Sequence, residues 1–231
     1  MPDIDPNILA QVPDYNNDNK KDIVWHDSIT GRNTMWLMNG TRIAAAANLP
    51  TLATTWENNG FGDFNGDGRT DLLWRNTATG DNTMWQMNGS SIDPAANLPT
   101  LPTTWETDLI GDFNADGRSD LLWHNTATGE NTMWLMNGTN IAAAANLPTL
   151  PTTWHTTSVG DFNGDGRTDL LWRNTATGEN TVWQMNGSSI DTAANLPTVS
   201  TTWQTAAVND FDGDGKSDIL LRNTTTGDNT G

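Results

Sequence analysis

One motif recurs along the chain at a constant spacing of 49 residues, and each copy begins with an aspartate. The five copies read DYNNDNKKDIVW, DFNGDGRTDLLW, DFNADGRSDLLW, DFNGDGRTDLLW and DFDGDGKSDILL, and they start at Asp14, Asp63, Asp112, Asp161 and Asp210. A period in the range of about 20 to 50 residues is typical of repeat architectures, in which one supersecondary unit stacks on the next. The constant spacing excludes insertions, so the sequence predicts five copies of one structural unit.

Within one copy the residues indicate four β-strands separated by turns. In the third copy we predict strands at 107–113, 120–125, 131–138 and 139–148. Asn137-Gly138 lies between the last two strands and is a strong signal for a tight hairpin, with positive φ expected at both residues. The following segment, PTLPTTW, contains prolines that exclude it from a central strand, so it is predicted to be a connection that places its tryptophan in a loop.

A unit of this length with four strands fits the blade of a β-propeller. The fold class predicted is therefore all-β: a β-propeller of four-stranded antiparallel blades, about five in number. The fifth repeat reads TTTGDNTG after its second strand, so the last blade is predicted to be incomplete. The whole chain, 1–231, is interpreted as a single repeat domain.

Net charge and composition limit the classes of partner that the chain can bind. The formal charge of −17 argues against nucleic acid and anionic membrane surfaces, which it would repel. No segment reaches the roughly 18 apolar residues of a membrane span, so no membrane insertion is expected. The chain has no cysteine. This excludes a disulfide scaffold and leaves the compartment open, since calcium can replace disulfides as a staple.

The repeated acidic loop has the residue types of a calcium site. In DFNGDGRTD, side chains with oxygen atoms fall at loop positions 1, 3, 5 and 9, a glycine at position 6 allows a sharp turn, and a backbone carbonyl is available at position 7. Calcium takes six to eight oxygen ligands, which this spacing supplies. An EF-hand is excluded because the loop closes with aspartate at position 9 and continues into a strand. The loops hold 16 of the 28 acidic residues.

These residues resemble the FG-GAP/VCBS repeat, the calcium-loop blade of integrin α-subunit propellers and of many bacterial and fungal extracellular proteins. The resemblance covers nearly the whole chain and implies about five Ca²⁺ ions, one per loop between the first two strands of each blade. It also implies an extracellular or cell-surface location. The implied ligands are Asp14, Asn16, Asp18, Asp22, Asp63, Asn65, Asp67, Asp71, Asp112, Asn114, Asp116, Asp120, Asp161, Asn163, Asp165, Asp169, Asp210, Asp212, Asp214 and Asp218. The first loop departs from the pattern with Asn19 at position 6, a residue that tolerates the left-handed conformation.

The repeat also suggests ligand pockets at the rim opposite the acidic loops. Tryptophans at Trp56, Trp105, Trp154 and Trp203 would offer apolar faces to sugar rings, and polar partners near the turn after strand two would be Arg75, Arg173, Asn76, Asn125, Asn174, Asp81, Glu130 and Glu179. Repeated weak pockets are typical of multivalent lectins, so glycans are the predicted partners. The alternative is a structural, adhesion or protein-binding propeller segment without sugar binding.

Two further patterns bear on function. Repeats one and three carry His26 and His124 where repeats two and four carry Arg75 and Arg173, and the arginine repeats also carry Asp93 and Asp191. We interpret the arginine as compensated by the aspartate. Every candidate acid or base is interpreted as repeated, whereas an active site needs one asymmetric constellation, so we predict no enzyme. The incomplete last blade has an open edge, which we expect either to be completed by a second chain or to belong to a longer natural protein, because unpaired edges invite association.

Overall fold

The computed structural model describes residues 13–231. Residues 1–7, whose prolines Pro2 and Pro6 argue against a strand that would complete the last blade, lie outside this range. The described residues form eighteen β-strands and no helix. The strands are β1 (Ile23–His26), β2 (Asn33–Asn39), β3 (Arg42–Leu49), β4 (Trp56–Gly62), β5 (Asp71–Asn76), β6 (Asn82–Asn88), β7 (Ser91–Leu98), β8 (Trp105–Gly111), β9 (Asp120–Asn125), β10 (Asn131–Asn137), β11 (Asn140–Leu147), β12 (Trp154–Gly160), β13 (Asp169–Asn174), β14 (Asn180–Asn186), β15 (Ser189–Leu196), β16 (Trp203–Asn209), β17 (Asp218–Asn223) and β18 (Asn229–Thr230).

The strands form five antiparallel sheets in chain order, which we number 1 to 5. Sheets 2, 3 and 4 have four strands each, β4–β7, β8–β11 and β12–β15, and every strand pairs with its neighbours in sequence. Sheet 1 contains β1–β3, and sheet 5 contains β16–β18, of which the last is two residues long. The predicted all-β propeller of four-stranded antiparallel blades, about five with the last incomplete, is confirmed.

Two details of the strands differ from expectation. The tryptophan of each TTW segment is the first residue of the first strand of a sheet, not part of a loop: Trp105 pairs with Asn125 across β8 and β9. The hairpin after the third strand is tight, but its two central residues are Gly138 and Thr139, and only Gly138 has positive φ (+62°). Asn137 stays in the strand because it pairs with Asn140.

A bulge interrupts the first strand of sheets 2 to 5 at the same repeat position. The pairing shifts around Asn59, Asp108, Thr157 and Ala206 in β4, β8, β12 and β16. A bulge inserts one extra residue into the strand ladder and redirects its side chain. The residue type at these four positions can therefore change without altering the hydrogen-bond ladder between the first and second strands.

Tryptophans fill the cores between sheets. Trp74, Trp123 and Trp172 of the second strands are fully buried, each in a cluster shared with the preceding sheet. Each lies 4.9–5.2 Å, centroid to centroid, from the third-strand tryptophan of its own sheet. Apolar faces on both sides of a sheet are required because each inner sheet packs between two neighbours.

The two outer faces of the array are exposed. Trp25, at the repeat position of Trp74 and Trp123, is 51% exposed on sheet 1. Phe211, at the position of the fully buried Phe64 and Phe113, is 57% exposed on sheet 5. Side chains at the same repeat position thus differ in exposure only because no further sheet, among the described residues, packs against these two faces.

Candidate functional site

The five acidic loops lie at one rim and share a set of turn hydrogen bonds; four of them connect the first and second strands of sheets 2 to 5, and the first loop precedes β1. In the second loop the Asp63 carboxylate accepts from the N–H groups of Gly66 (2.7 Å), Asp67 (3.1 Å) and Gly68 (2.7 Å). The bond from position 6 to position 1 recurs in all five loops at 2.7–2.9 Å. The position 1 aspartate therefore organises the turn in addition to any metal role.

Each loop has positive φ at positions 4 and 6. Position 6 is glycine in four loops, with φ of 81–85°, and Asn19 in the first loop adopts 62°. Ala115 holds position 4 of the third loop at 59°. The first loop therefore keeps the same conformation despite its missing glycine, as expected from the tolerance of asparagine for this region.

In the first four loops the position 9 aspartate is buried and ties the loop to the sheet. In Asp71, one carboxylate oxygen accepts from the N–H of Phe64 (3.1 Å) and the other from the N–H of Met87 (2.8 Å). The pKa of Asp71 is raised to about 7, mainly by burial and in smaller part by the nearby Asp67 and Asp63 carboxylates, while its two backbone hydrogen bonds act in the opposite direction. The pKa of Asp120 is likewise raised to about 7 and that of Asp169 to about 6. Burial disfavours the charged form of these carboxyl groups, and a bound cation would favour it.

The fifth loop shows the convergence of ligand positions most directly. One carboxylate oxygen from each of Asp210, Asp212 and Asp218 lies within 4.8 Å of the others. These residues occupy positions 1, 3 and 9. The other four loops have asparagine at position 3, whose amide oxygen is an equally suitable hard ligand.

The position 5 carboxylate has a competing partner in four loops. The side chain at position 7 forms an ion pair with it, as in Arg69–Asp67 (3.0 Å) and Arg118–Asp116 (3.1 Å). Both groups are about one-third exposed. Such surface pairs contribute about 0–1 kcal/mol, so they would give way to a divalent ion at little cost.

Neighbouring loops are hydrogen-bonded to one another along the rim. Ser119 N–H donates to the Asp63 carbonyl (2.7 Å), and Gly138 N–H donates to the Phe64 carbonyl (2.7 Å). The same two bonds recur between sheets 1 and 2 and between sheets 3 and 4. The order of each loop is therefore coupled to the packing of the next sheet.

At the opposite rim the four TTW tryptophans are half-buried. Trp56, Trp105 and Trp154 pack against the cores between sheets, and Trp203 has the same intermediate exposure. The N–H of Trp105 donates to the Pro102 carbonyl (2.9 Å), and the other three make the equivalent bond. Each indole thus covers the end of a core and exposes only part of its surface.

Arg75 and Arg173 are buried, with 4% exposure, and bind the protein itself. Arg75 donates to the carbonyls of Gly80 (3.1 Å) and Pro102 (2.9 Å) and to the Asn82 side chain (2.9 Å). Its guanidinium also stacks on Trp123, 5.2 Å from the ring centroid. The interpretation that Asp93 compensates this arginine is wrong, because Asp93 is exposed and the guanidinium is satisfied by carbonyl and amide oxygens.

The histidines and arginines that alternate at this position of the second strand share a hydrogen-bond partner. His26 and His124 bond to Asn33 and Asn131 through Nδ1 (2.7 Å each), the same third-strand asparagine position that Arg75 and Arg173 use. Sequence reasoning missed this anchor, although an asparagine opens the third strand of every repeat.

The remaining predicted rim residues divide into two groups. Asn76, Asn125 and Asn174 are largely buried, and each side-chain oxygen accepts a backbone N–H two residues ahead, at 2.9–3.1 Å, to close the turn. Glu130 and Glu179 are exposed, and Asp81 is partly exposed. All three accept from a threonine hydroxyl in the same turn. The carboxylates and the tryptophan faces are thus the rim groups still open to a ligand.

The fold and the rims define a class: a repeat propeller with ordered acidic loops on one rim and a repeated polar and aromatic surface on the other. A family model described as FG-GAP-like repeat matches residues 14–74, 112–172 and 161–221. The chain belongs to this family, whose propeller repeats form interaction and adhesion modules.

Solved structures with similar folds are distant in sequence. They include a post-proline cleaving enzyme from Rickettsia typhi (10% identity, TM-score 0.51, 83% of this chain and 29% of that chain). The V. cholerae biofilm matrix protein Bap1 matches at 16% identity and TM-score 0.41, over 91% and 33% of the two chains. The β-propeller domain of Myceliophteria thermophila Cps50 (Swd1) matches at 12% and 0.45, over 85% and 64%.

In each case the chain spans less than two thirds of the matched chain, and these likenesses bear on the fold alone. Comparison with curated proteins gave no match. Between residues 13 and 231 there is no helix of the length and apolarity needed to cross a membrane.

Proposed function

We propose that the chain is a calcium-stabilised extracellular binding module that presents a repeated rim to multivalent glycans. The observation that supports glycan binding is the fourfold recurrence of a half-buried tryptophan at the start of the first strand, next to a turn that carries a carboxylate in every case. Carbohydrate sites pair an apolar wall with a few fixed polar groups, and repeated weak sites gain affinity through avidity.

Calcium is proposed for the five acidic loops. The donor set of carboxylate and amide oxygens at positions 1, 3, 5 and 9 suits a hard cation, and the buried position 9 aspartates lack a cationic partner among the groups that shift their pKa. The ion would neutralise charge where loops of neighbouring sheets meet. An extracellular location fits this proposal, because extracellular calcium modules bind with Kd values of about 10⁻⁴–10⁻³ M.

The glycan proposal is tested with the rim residues that remain open to a ligand. We expect the wild type to bind a multivalent glycan on an array and each single pocket to be weak, with a Kd on the order of millimolar, about −4 kcal/mol. Trp105→Ala should weaken binding about tenfold by removing one of four equivalent sites, and leave calcium affinity unchanged. Glu130→Gln, at an exposed side chain that packs in no core, should weaken binding without affecting stability.

The control variant is Asp93→Asn, which changes an exposed carboxylate on a fourth strand, away from the turns of this rim. Glycan binding that is lost equally in this control would point to bulk charge instead of the rim. If no glycan binds, or if Glu130→Gln binds as the wild type does, the rim is not a sugar site.

A protein partner is the second candidate. It is favoured by the burial of Arg75, Arg173 and the turn asparagines, which leaves the rim fewer hydroxyl partners than the sequence suggested. An interaction or adhesion role needs only shape and exposed carboxylates at the rim. A glycan array on which the chain binds no sugar, together with retained calcium binding, would support this candidate.

Self-association through the exposed end faces is a further part of the proposal. Sheets 2 and 3 pack with Phe64 of one sheet against Trp123 of the next, and Arg75 stacks on that indole. Trp25 on sheet 1 and Phe211 and Arg222 on sheet 5 are the exposed counterparts of these groups. The two end faces are thus the two halves of the interface that already recurs between inner sheets.

The backbone groups match in the same way. The counterparts of the Ser119 and Gly138 N–H donors are Lys21 and Gly40 on sheet 1, and none of the described residues accepts from them. The counterparts of the accepting carbonyls are those of Asp210 and Phe211 on sheet 5, to which no described residue donates. We therefore propose that the sheet 5 face of one copy binds the sheet 1 face of a second copy, a heterologous contact.

This contact predicts association that depends on protein concentration. In light scattering of the calcium-loaded chain, Trp25→Asp and Phe211→Asp should each raise the dissociation constant at least about tenfold, since each places a charge at the centre of the contact. Ile29→Asp is the matched control, because Ile29 is an exposed apolar residue (85%) outside this interface. A chain that is monomeric at every concentration would contradict the proposal.

A further inference from the structure

The second strand of sheet 5 has a leucine where sheets 2, 3 and 4 have a buried tryptophan. Leu221 in β17 occupies the repeat position of Trp74, Trp123 and Trp172. Each of those tryptophans is fully buried in a core cluster shared with the preceding sheet, whereas Leu221 is only half-buried. The interface between sheets 4 and 5 therefore lacks the indole ring that fills the three interfaces before it.

Two more positions at this interface carry a smaller side chain than the repeat before. Val182 in β14 occupies the repeat position of Met133, and Val199, in the connection after β15, occupies that of Leu150. Met133 and Leu150 both pack in the core between sheets 3 and 4. Because protein interiors are close-packed and collapse only in part around lost volume, three smaller side chains at one interface should leave a space.

A cavity of about 180 Å³ lies at this interface. Its apolar walls come from sheet 4, from sheet 5 and from the connection between them, and they are Leu171, Leu196, Val199, Ile219 and Leu221. A neighbouring cavity, bordered by Val182, shares the Leu196 and Ile219 walls. No wall residue of the first cavity belongs to β18, so all of its walls come from full-length strands and a connection of the repeat.

The same walls hold an indole ring in the interface before. The counterparts of the other four wall residues pack in one cluster with Trp172, the counterpart of Leu221, and they are Leu122, Leu147, Leu150 and Leu170. The indole N–H of Trp172 has no hydrogen-bond partner among residues 13–231, so this ring is held by shape and apolar contact. The repeat thus shows that an aromatic ring of indole size fits between walls of this kind.

The polar side chains that border the cavity already have partners. The Asn180 amide nitrogen donates to the Pro197 carbonyl (3.0 Å), and its oxygen accepts from Arg173 (2.8 Å). The Thr205 hydroxyl donates to the Thr157 hydroxyl (3.2 Å). A charged ligand would lose its hydration in this cavity without gaining a charged partner, so the lining suits a neutral, apolar molecule.

We propose that the cavity between sheets 4 and 5 binds one small neutral aromatic molecule of the indole class. An apolar cavity of about 150 Å³ lined by Leu, Ile and Phe stays dry and binds benzene, and this cavity is similar in size and lining. Pro197 borders the cavity and is exposed, which gives the ligand a route from solvent. The site uses neither the acidic loops nor the rim carboxylates, so it can fail without the calcium or glycan proposals.

The test is a calorimetric titration of indole into the full, calcium-saturated chain, at a concentration where the chain is monomeric. We expect one equivalent of indole to bind the wild type and to raise its melting temperature, because the ligand binds only the folded state. Leu221→Trp should abolish this binding, because the new side chain fills the space, and it should raise the melting temperature without ligand. Sheets 2, 3 and 4 carry tryptophan at this position, so the strand should tolerate it.

Leu220→Trp is the matched control, because it makes the same change one residue earlier in β17. Successive side chains of a strand point to opposite faces, and Leu171, the counterpart of Leu220, faces the following sheet. This variant should bind indole as the wild type does. Absence of saturable indole binding, binding that survives Leu221→Trp, or binding lost equally in both variants would overturn the proposal and leave the cavity as an empty packing gap.

Discussion

Chelation of calcium is expected to lower the melting temperature of the chain markedly. A ligand that binds only the folded state at about 100 times its Kd contributes about 2.7 kcal/mol per site. In a domain of this size, 1 kcal/mol corresponds to about 2–4 °C, so each loop that loses its ion should cost about 5–10 °C. The loss should be large because neighbouring loops are hydrogen-bonded to each other and buried carboxylates such as Asp71 lose their counter-charge.

Single loops can be tested within the same experiment. Asp67→Ala and Asp165→Ala each remove a position 5 carboxylate, and each should lose part of the calcium-dependent stabilisation measured by calorimetry or circular dichroism. Asp191→Asn is the control, because it removes an exposed carboxylate outside the loops and should keep the whole calcium effect. An unfolding curve that excess chelator leaves unmoved would show that the loops do not bind metal structurally.

Replacement of a buried inter-sheet tryptophan is the second large effect. Trp123→Ala should lower the free energy of unfolding by about 3–5 kcal/mol, because it removes a fully buried indole from the core between sheets 2 and 3. The substitution would also remove the ring on which Arg75 stacks. The measurement is urea denaturation with calcium present.

Trp25→Ala provides the matched comparison at the same repeat position. Trp25 is 51% exposed, and like Trp123 it contacts the third-strand tryptophan of its own sheet, at 5.3 Å against 5.2 Å. Both variants lose one aromatic pair of about 0.5–1.5 kcal/mol, so the difference between them isolates the burial against the preceding sheet. At a concentration where the chain is monomeric, equal losses would contradict the packing described here.

Local sequence was sufficient to predict the elements and the loops. The strands and turns of one repeat and the conformation of its acidic loop depend on interactions between residues within about ten positions of each other. The constant spacing then repeats the same unit along the chain. The predicted strand 120–125 coincides with β9, and Asn19 takes the left-handed conformation expected at position 6. The same locality explains why an all-β propeller of four-stranded blades could be predicted before any packing was known.

Other features were decided by contacts between sheets. Gly138 is the first central residue of its turn, and its N–H donates to the Phe64 carbonyl of the neighbouring sheet. Arg75 is buried because the chain connecting to the next sheet places the Leu101 and Pro102 carbonyls around its guanidinium. No spacing within a repeat encodes these partners.

The sequence by itself determined the repeat unit, its strands and its acidic loops, because those follow from residue preferences and short-range hydrogen bonds. Tertiary structure alone decided that Trp25 is exposed where Trp123 is buried, since identical residues differ only in whether a sheet packs against them. It also brought Asp108, His124 and His155 together from three strands of two sheets. Asp108 and His155 are 47 positions apart along the chain and meet there because a bulge turns Asp108 towards the next sheet, a geometry set by packing and not by sequence neighbours.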